Sequence, residues 1–304
     1  MHTYLESVGF QRIGSNREME RITRDTVLHF DHKTLFRNGH NRICGEFSKE
    51  YGRDMGITVV GEFDDAGDFH PEYSFPYFSG ATISMHQEVD FEKRAGSESY
   101  EGCCEDPRLG ATVIFYLINA GQYRRITDTG ANEMQDPDET LFTQTGELPV
   151  KLSALAKSGT ILLPVYKTEE DQREYQKHQD SHLKLISAAR NGDEAAIESL
   201  TAEDMNDYQV ITKRLEDEDV LSIVDTSFLP YGMECDQYSV IGNIISCEKV
   251  KNLYTGENVW QMQLEVCDVY LDVCVNAKRL RGVPRKGMRF RGDVWLQGIV
   301  YFNE

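Results

Sequence analysis

The chain has 304 residues, 40% of them hydrophobic and 27% charged, with 14 Phe and 15 Tyr, a composition that builds a sizeable core and excludes wholesale disorder. Its net charge is −19 at pH 7, and the charge is uneven: −12 over residues 1–150, −7 over residues 151–230 and zero over residues 231–304. An acidic body repels nucleic acid and anionic lipid, so only the last segment is suited to approach either one.

The opening MHTYLESVGF has no basic stretch followed by an apolar run, so no export signal is expected. With no apolar run near the ~20 residues of a membrane helix, no membrane partner is expected, and the seven cysteines read as thiols of a reducing cytoplasm. Ser15 and Glu18 form a capping box, followed by Met19, Ile22, Thr26 and Phe30 at helical spacing, which predicts a helix. Residues 56–63 suit a strand that ends in an acidic turn at residues 64–68. Residues 69–80 hold five aromatics and two prolines and suit an irregular loop or edge segment; a peptide groove is one reading of them and packing around the prolines another. Residues 82–91 suit a strand, residues 95–110 an exposed loop, and the apolar residues 111–119 a central strand. Residues 127–147 are expected to be a mobile insertion, and residues 159–165 a last strand of the first sheet.

Helical spacing then returns, with caps at Thr168, Asp193 and Thr201, and predicts a packed helical connector. From Tyr238 the period changes to two. Trp260, Met262, Leu264 and Val266 share one face, and so do Val269, Leu271, Val273 and Val275, with a slip in phase at Cys267-Asp268 that either a tight hairpin or a bulge explains. The expected class is α+β: a mixed N-terminal domain over residues 1–166, a helical connector over 167–230, and a small antiparallel β-barrel over 231–304 of the oligonucleotide-binding (OB-like) type.

Four segments carry a family resemblance: MHTYLESVGF at the start, LTAEDMNDY (residues 200–208), SIVDTSFLPYGMECDQYSVIGNI (residues 222–244) and RFRGDVWLQG (residues 289–298). Through them nearly the whole chain resembles an uncharacterised family, a domain of unknown function, from clostridia and related Firmicutes. The resemblance implies a bacterial intracellular protein and assigns no residue roles.

The clearest candidate surface is basic: Lys278, Arg279, Arg281, Arg285, Lys286, Arg289 and Arg291 fall within fourteen positions that contain no acid. With Trp260 and Trp295 they could form a stacking and phosphate-binding face; docking on the acidic residues 216–219 is the internal alternative. Glu174, His178 and His182, four apart on the predicted connector helix, would share one face where a divalent ion could sit, although a boundary histidine beside a solvated one explains them as well. Cys103-Cys104 cannot form a CxxC clamp, Cys247, Cys267 and Cys274 suit the interior of the β-domain, and neither GxGxxG nor GxxxxGK[ST] occurs, so no cofactor is implied. The leading expectation is a non-catalytic cytoplasmic binding or scaffolding protein. Single-stranded nucleic-acid binding by the last domain and a hydrolase with an interdomain cleft are the alternatives.

Overall fold

The computed structural model describes residues 3–11, 13, 15–38, 40–130, 146–165 and 224–302, with ten positions between 181 and 199. The Ser15 cap of the predicted capping box forms: the Ser15 hydroxyl accepts the Glu18 N–H at 3.3 Å and opens α1 (Asn16–Leu28). One face of α1 buries Ile22 and Thr26 completely. A short 3₁₀ turn, η1 (Leu5–Val8), precedes it.

The first sheet is antiparallel in the order β1 (His32–Arg37), β2 (Ile43–Gly52), β3 (Met55–Phe63), β4 (Phe69–Phe78). The aromatic–proline stretch expected as a loop or edge segment is thus the edge strand β4, paired with β3 alone. An edge tolerates Pro71 and Pro76, because a missing N–H there costs a ladder bond only when it faces the neighbour.

The second sheet has twelve strands. They are β5 (Met85–Gln87), β6 (Asp90–Lys93), β7 (Tyr100–Asp106), β8 (Ala111–Leu117), β9 (Leu148–Ala156), β10 (Gly159–Leu162), β11 (Ser227–Pro230), β12 (Gln237–Lys251), β13 (Asn258–Val266), β14 (Val269–Asn276), β15 (Leu280–Arg281) and β16 (Arg289–Val300). Helix α2 (Ala120–Gly130) follows β8. The protein is therefore mostly β-sheet with two α-helices among the described residues, consistent with the α+β class.

Several expectations need correction. Residues 100–106, expected in an exposed loop, form β7, because Tyr100 and Cys104 bury against the sheet interior. Residues 82–91 give only the short strands β5 and β6. The strand at 159–162 pairs with β15 and β16, not with the first sheet. Residues 127–130 belong to α2, and residues 131–145 lie outside the described set. The connector helices and Glu174, His178 and His182 also lie outside it, apart from scattered positions, while residues 227–230 at the connector's end are the strand β11.

The expected boundary near residue 231 is not a boundary in the hydrogen bonding. Strand β12 pairs with β13, β13 with β14, β14 with β9 in parallel, β9 with β16, and β16 again with β12. This circuit of five strands needs β9 from the first half of the chain. Alternation identifies a strand and its inward face but says nothing of its neighbour. Strand β9 itself gives a weak signal: it holds Pro149 and three small residues, and only Lys151 and Ser153 mark a polar face.

The inner core within this circuit collects Val150, Leu152 and Ala154 of β9, Met262, Leu264 and Val266 of β13, Leu271, Val273 and Val275 of β14, and Val294, Leu296 and Val300 of β16. The phase slip resolves as a hairpin: Val266 pairs with Val269, and Cys267 and Asp268 both take positive φ, 49° and 61°. Neither residue favours such a turn alone. Tertiary bonds hold it, since Thr226 Oγ1 accepts the Cys267 N–H at 3.2 Å and Arg108 donates to the Asp268 carbonyl at 3.0 Å. A second core joins the sheets, placing Ile22, Tyr51, Ile57 and Phe75 against Tyr116, Leu155, Val259, Cys274 and Trp295.

Candidate functional site

The basic segment does not form one surface. Arg289 is only 3% exposed; its guanidinium donates to the carbonyls of Leu163, at 2.8 Å, and of Val224. One side chain therefore holds the chain where it leaves β10 and where it re-enters before β11. Arg279 pairs with Glu6 at 2.6 Å and Lys278 with Glu257 at 3.0 Å. Arg281, Arg285, Lys286 and Arg291 are exposed. Trp295 is buried, its indole N–H donating to Asp236 at 2.7 Å. Trp260 is half-buried beneath Lys249, whose Nζ lies 5.0 Å from the ring centre. Trp260 pairs with Lys249, five residues along β12 from Ile244, which binds the turn at Gly287. That is roughly 17 Å at about 3.4 Å per residue, so the structure separates Trp260 from Arg285 and Lys286 beside that turn. Residues 216–219, the internal acidic partner considered above, lie outside the described residues.

The outer face of β13 and β14 is occupied by the chain's own first third. Asp272 accepts the N–H groups of Ala81 and Thr82 at 2.7 and 3.0 Å, and Gln263 donates to the Thr82 hydroxyl. Gln261 donates to the Arg53 carbonyl at 2.6 Å, Asn276 to the Glu6 carbonyl at 3.2 Å, and the Cys274 thiol to the Ser7 carbonyl at 3.3 Å. Beside them, Asn252 reaches the Val8 carbonyl at 2.8 Å. Burial raises the Asp272 carboxyl against the two N–H bonds it accepts. Gly80, at φ +64°, lies so close that an added Cβ would meet the Asp272 carboxylate at 2.7 Å. A larger residue could neither adopt that turn easily nor fit there.

The opposite end of the first sheet is open. A groove of about 630 Å³ runs between α1 and β4. Met19, Thr23 and Val27 form its helical wall, one turn apart on one face, and Phe69, Pro71 and Tyr73 belong to the strand wall. Glu72 and Ser74 line it too. The lining residues 71 to 74 are consecutive where the register with β3 shifts between Val60 and Gly61 and leaves Glu72 unpaired, so the bulged edge of the strand contributes to the wall. Helix α1 is fixed in place from the other side: Lys49 pairs with Asp25 at 2.7 Å, and the Tyr51 hydroxyl bonds Thr26 at 2.9 Å and Asp25 at 3.0 Å. Farther along, the edge of β4 is already filled. The amide of Gln297, fully buried, accepts the Phe78 N–H at 3.1 Å and donates to the Pro76 carbonyl at 2.9 Å.

Sequence reasoning named the aromatic stretch as a candidate groove but not its other wall. Met19 was a core position of a helix there, and nothing in one-dimensional spacing tells which strand a helix will lie beside. The remaining buried acid of note is Glu46 on β2. Its carboxylate accepts the Gly121 N–H at the start of α2 at 3.0 Å, and burial pushes its carboxyl up to about 7 against that bond. Among the described residues no group of three or more His, Cys, Asp and Glu is placed to hold a metal ion, and no helix is long and apolar enough to cross a membrane.

No curated protein and no solved structure matches the chain. A family model does, across residues 5–298: a domain of unknown function described from an E. rectale gene, DUF3881. That source agrees with the Firmicute resemblance carried by the segments quoted above, and the chain belongs to this family.

Proposed function

We propose that this is a non-catalytic, cytoplasmic protein-binding scaffold that receives a partner in the groove between α1 and β4. In this reading the five-strand circuit is an OB-like barrel, with β12 as the long bent strand shared by β13 and β16. The barrel serves to hold the first sheet rather than an external ligand. The single observation that carries the reading is the apolar groove walled by a strand edge that no other strand fills among the described residues. Ligand pockets are concave, mostly apolar and few per protein, and this one combines those properties with backbone groups able to bond a guest. The seven thiols, all unpaired, suit a reducing compartment.

The nucleic-acid alternative has less support. Oligonucleotides bind barrels of this type across the face of the second and third strands. In the OB-like reading those are β13 and β14, whose outer face is bonded to residues 6, 7, 53, 81 and 82. The hydrolase alternative places its cleft between the first domain and the helical connector, most of which lies outside the described residues.

The test is selection of displayed peptides on the full chain, followed by affinity measurement against a Met19→Glu/Val27→Glu variant. Both residues are only half-buried, so the variant is expected to fold while losing at least about tenfold in affinity (≈ 1.4 kcal/mol). Selected peptides that bind the variant equally well, or no enrichment at all alongside tight binding of oligo-dT, would overturn the proposal.

A further inference from the structure

Resting on the groove reading, we infer that its occupant is an extended, basic–apolar segment of a partner protein that adds a short strand to the edge of β4 about Ser74, which pairs with no further strand among the described residues. Three observations lead there.

The first is that the fold already contains a short version of such a strand. Gln297 presents one N–H donor and one carbonyl acceptor to the edge of β4, bonding the Pro76 carbonyl at 2.9 Å and the Phe78 N–H at 3.1 Å. These are the two bonds that a backbone amide of a neighbouring strand would make. They also establish which groups of β4 face outward. In an antiparallel ladder the outward-facing residues alternate, so after Phe78 and Pro76 the next is Ser74, within the groove. Its N–H and carbonyl continue the row that Gln297 begins. Gln297 is fully buried and Pro76 has no N–H, so an added strand cannot extend past this point. Pro71 lacks an N–H as well, and the register shifts beside it between Val60 and Gly61, so the guest is limited at both ends and its backbone bonds centre on Ser74.

The second observation is apolar. Met19 and Val27 on the helix and Phe69 on the strand face the space where alternate side chains of an added strand would point, and Leu28 at the helix end is 61% exposed. Alternate residues of the guest should therefore be apolar.

The third is charge. Glu20 and Glu72 line the groove, against the single cation Arg24. Burial raises the Glu72 carboxyl, and the nearby Glu62 and Glu98 raise it further, which places a negative field over the open edge. The whole chain carries −19. An acidic or phosphorylated segment would be repelled, and lysine or arginine at the guest's outward positions would be attracted.

The experiment uses the full chain and three synthetic decapeptides: alternating Val-Lys, alternating Val-Glu, and Val-Lys with every second backbone nitrogen methylated. The expected result is salt-sensitive binding of the Val-Lys peptide with at least tenfold slower amide exchange at Ser74. At least tenfold weaker binding is expected for the Val-Glu and for the N-methylated peptide. A methylated peptide that binds as tightly as its parent overturns strand addition but leaves the groove reading standing, because side-chain capture does not need backbone nitrogens. Equal binding of Val-Glu overturns the charge selection. No binding of the Val-Lys peptide, when peptides selected by display still depend on Met19 and Val27, overturns the inference alone. Failure of both removes the groove reading as well.

Discussion

The outer face of β13–β14 and the edge of β4 are both polar surfaces of β-structure, yet they have opposite fates. On the first, Asp272, Gln261, Gln263, Cys274 and Asn276 each hold a group of the chain's own first third. On the second, Gln297 fills the ladder at residues 76 and 78, and a groove of about 630 Å³ opens beside residues 69–74. The difference teaches that exposure of basic residues in sequence is a poor guide to where this protein can bind. Polar groups satisfied internally have no bonds left to offer, whereas an unfilled strand edge does.

The comparison can be broken most severely in the inner core. Phe115 is fully buried between Gly102 and Gly298, where an added Cβ at either glycine would come within 2.3 Å of the ring. Phe115→Ala should cost about 3–5 kcal/mol in chemical denaturation. Because the second core spans both sheets, Trp295 fluorescence and circular dichroism should report one coincident transition. Two transitions would show that the first sheet folds without the β13–β14 face that holds it.

Glu46 sharpens the comparison through pH. Its carboxyl is raised from 4.5 to about 7 in the folded protein by burial, so the folded state keeps a proton that the unfolded chain loses first. The associated stability is present in full below about pH 4.5 and is lost as pH rises through about 7, on the order of 3 kcal/mol in total. Glu46→Gln should therefore flatten the stability difference between pH 5 and pH 8. Equal pH dependence in the variant and the parent would show that Glu46 is not held in a desolvated site.

Asp272→Ala tests the occupied face directly. It leaves the N–H groups of Ala81 and Thr82 without their acceptor and should cost about 1–3 kcal/mol. Amide exchange should accelerate at those two residues more than along β4. Uniform acceleration would mean that the contact is not local. The smallest effect belongs to the exposed cations. Arg285→Glu with Lys286→Glu should change stability by less than about 0.5 kcal/mol, measured in the same denaturation. A loss above ~1 kcal/mol, with faster proteolysis at residues 224–236, would reveal an internal partner for the basic segment.

Much of the architecture was legible because it is written in local chemistry. The capping box at Ser15 and the alternation along β13, β14 and β16 predicted elements that the structure contains, since each depends on neighbours a few residues apart. The positive-φ turn at Cys267-Asp268 remained open in sequence because its support comes from Thr226 and Arg108, 41 and 160 residues away. Strand β9 escaped notice because its alternation is carried by Lys151 and Ser153 alone, beside Pro149 and small residues of low strand propensity. The basic cluster was visible at once, but its division was not. Arg289 turned inward, Lys278 and Arg279 found acids, and Trp295 entered a core.

The sequence by itself determined the period of many elements, which face of them is apolar, the charge of the three segments of the chain and membership of a family. Only the tertiary structure decided that β9 sits between β14 and β16, that the face of β13–β14 is already bonded, and that α1 lies beside an edge of β4 that no other described strand fills. The reason is physical. Propensity, capping and alternation act over a few residues, whereas strand neighbours and the pairing of buried polar groups depend on residues far apart in the chain, chosen only when both cores close.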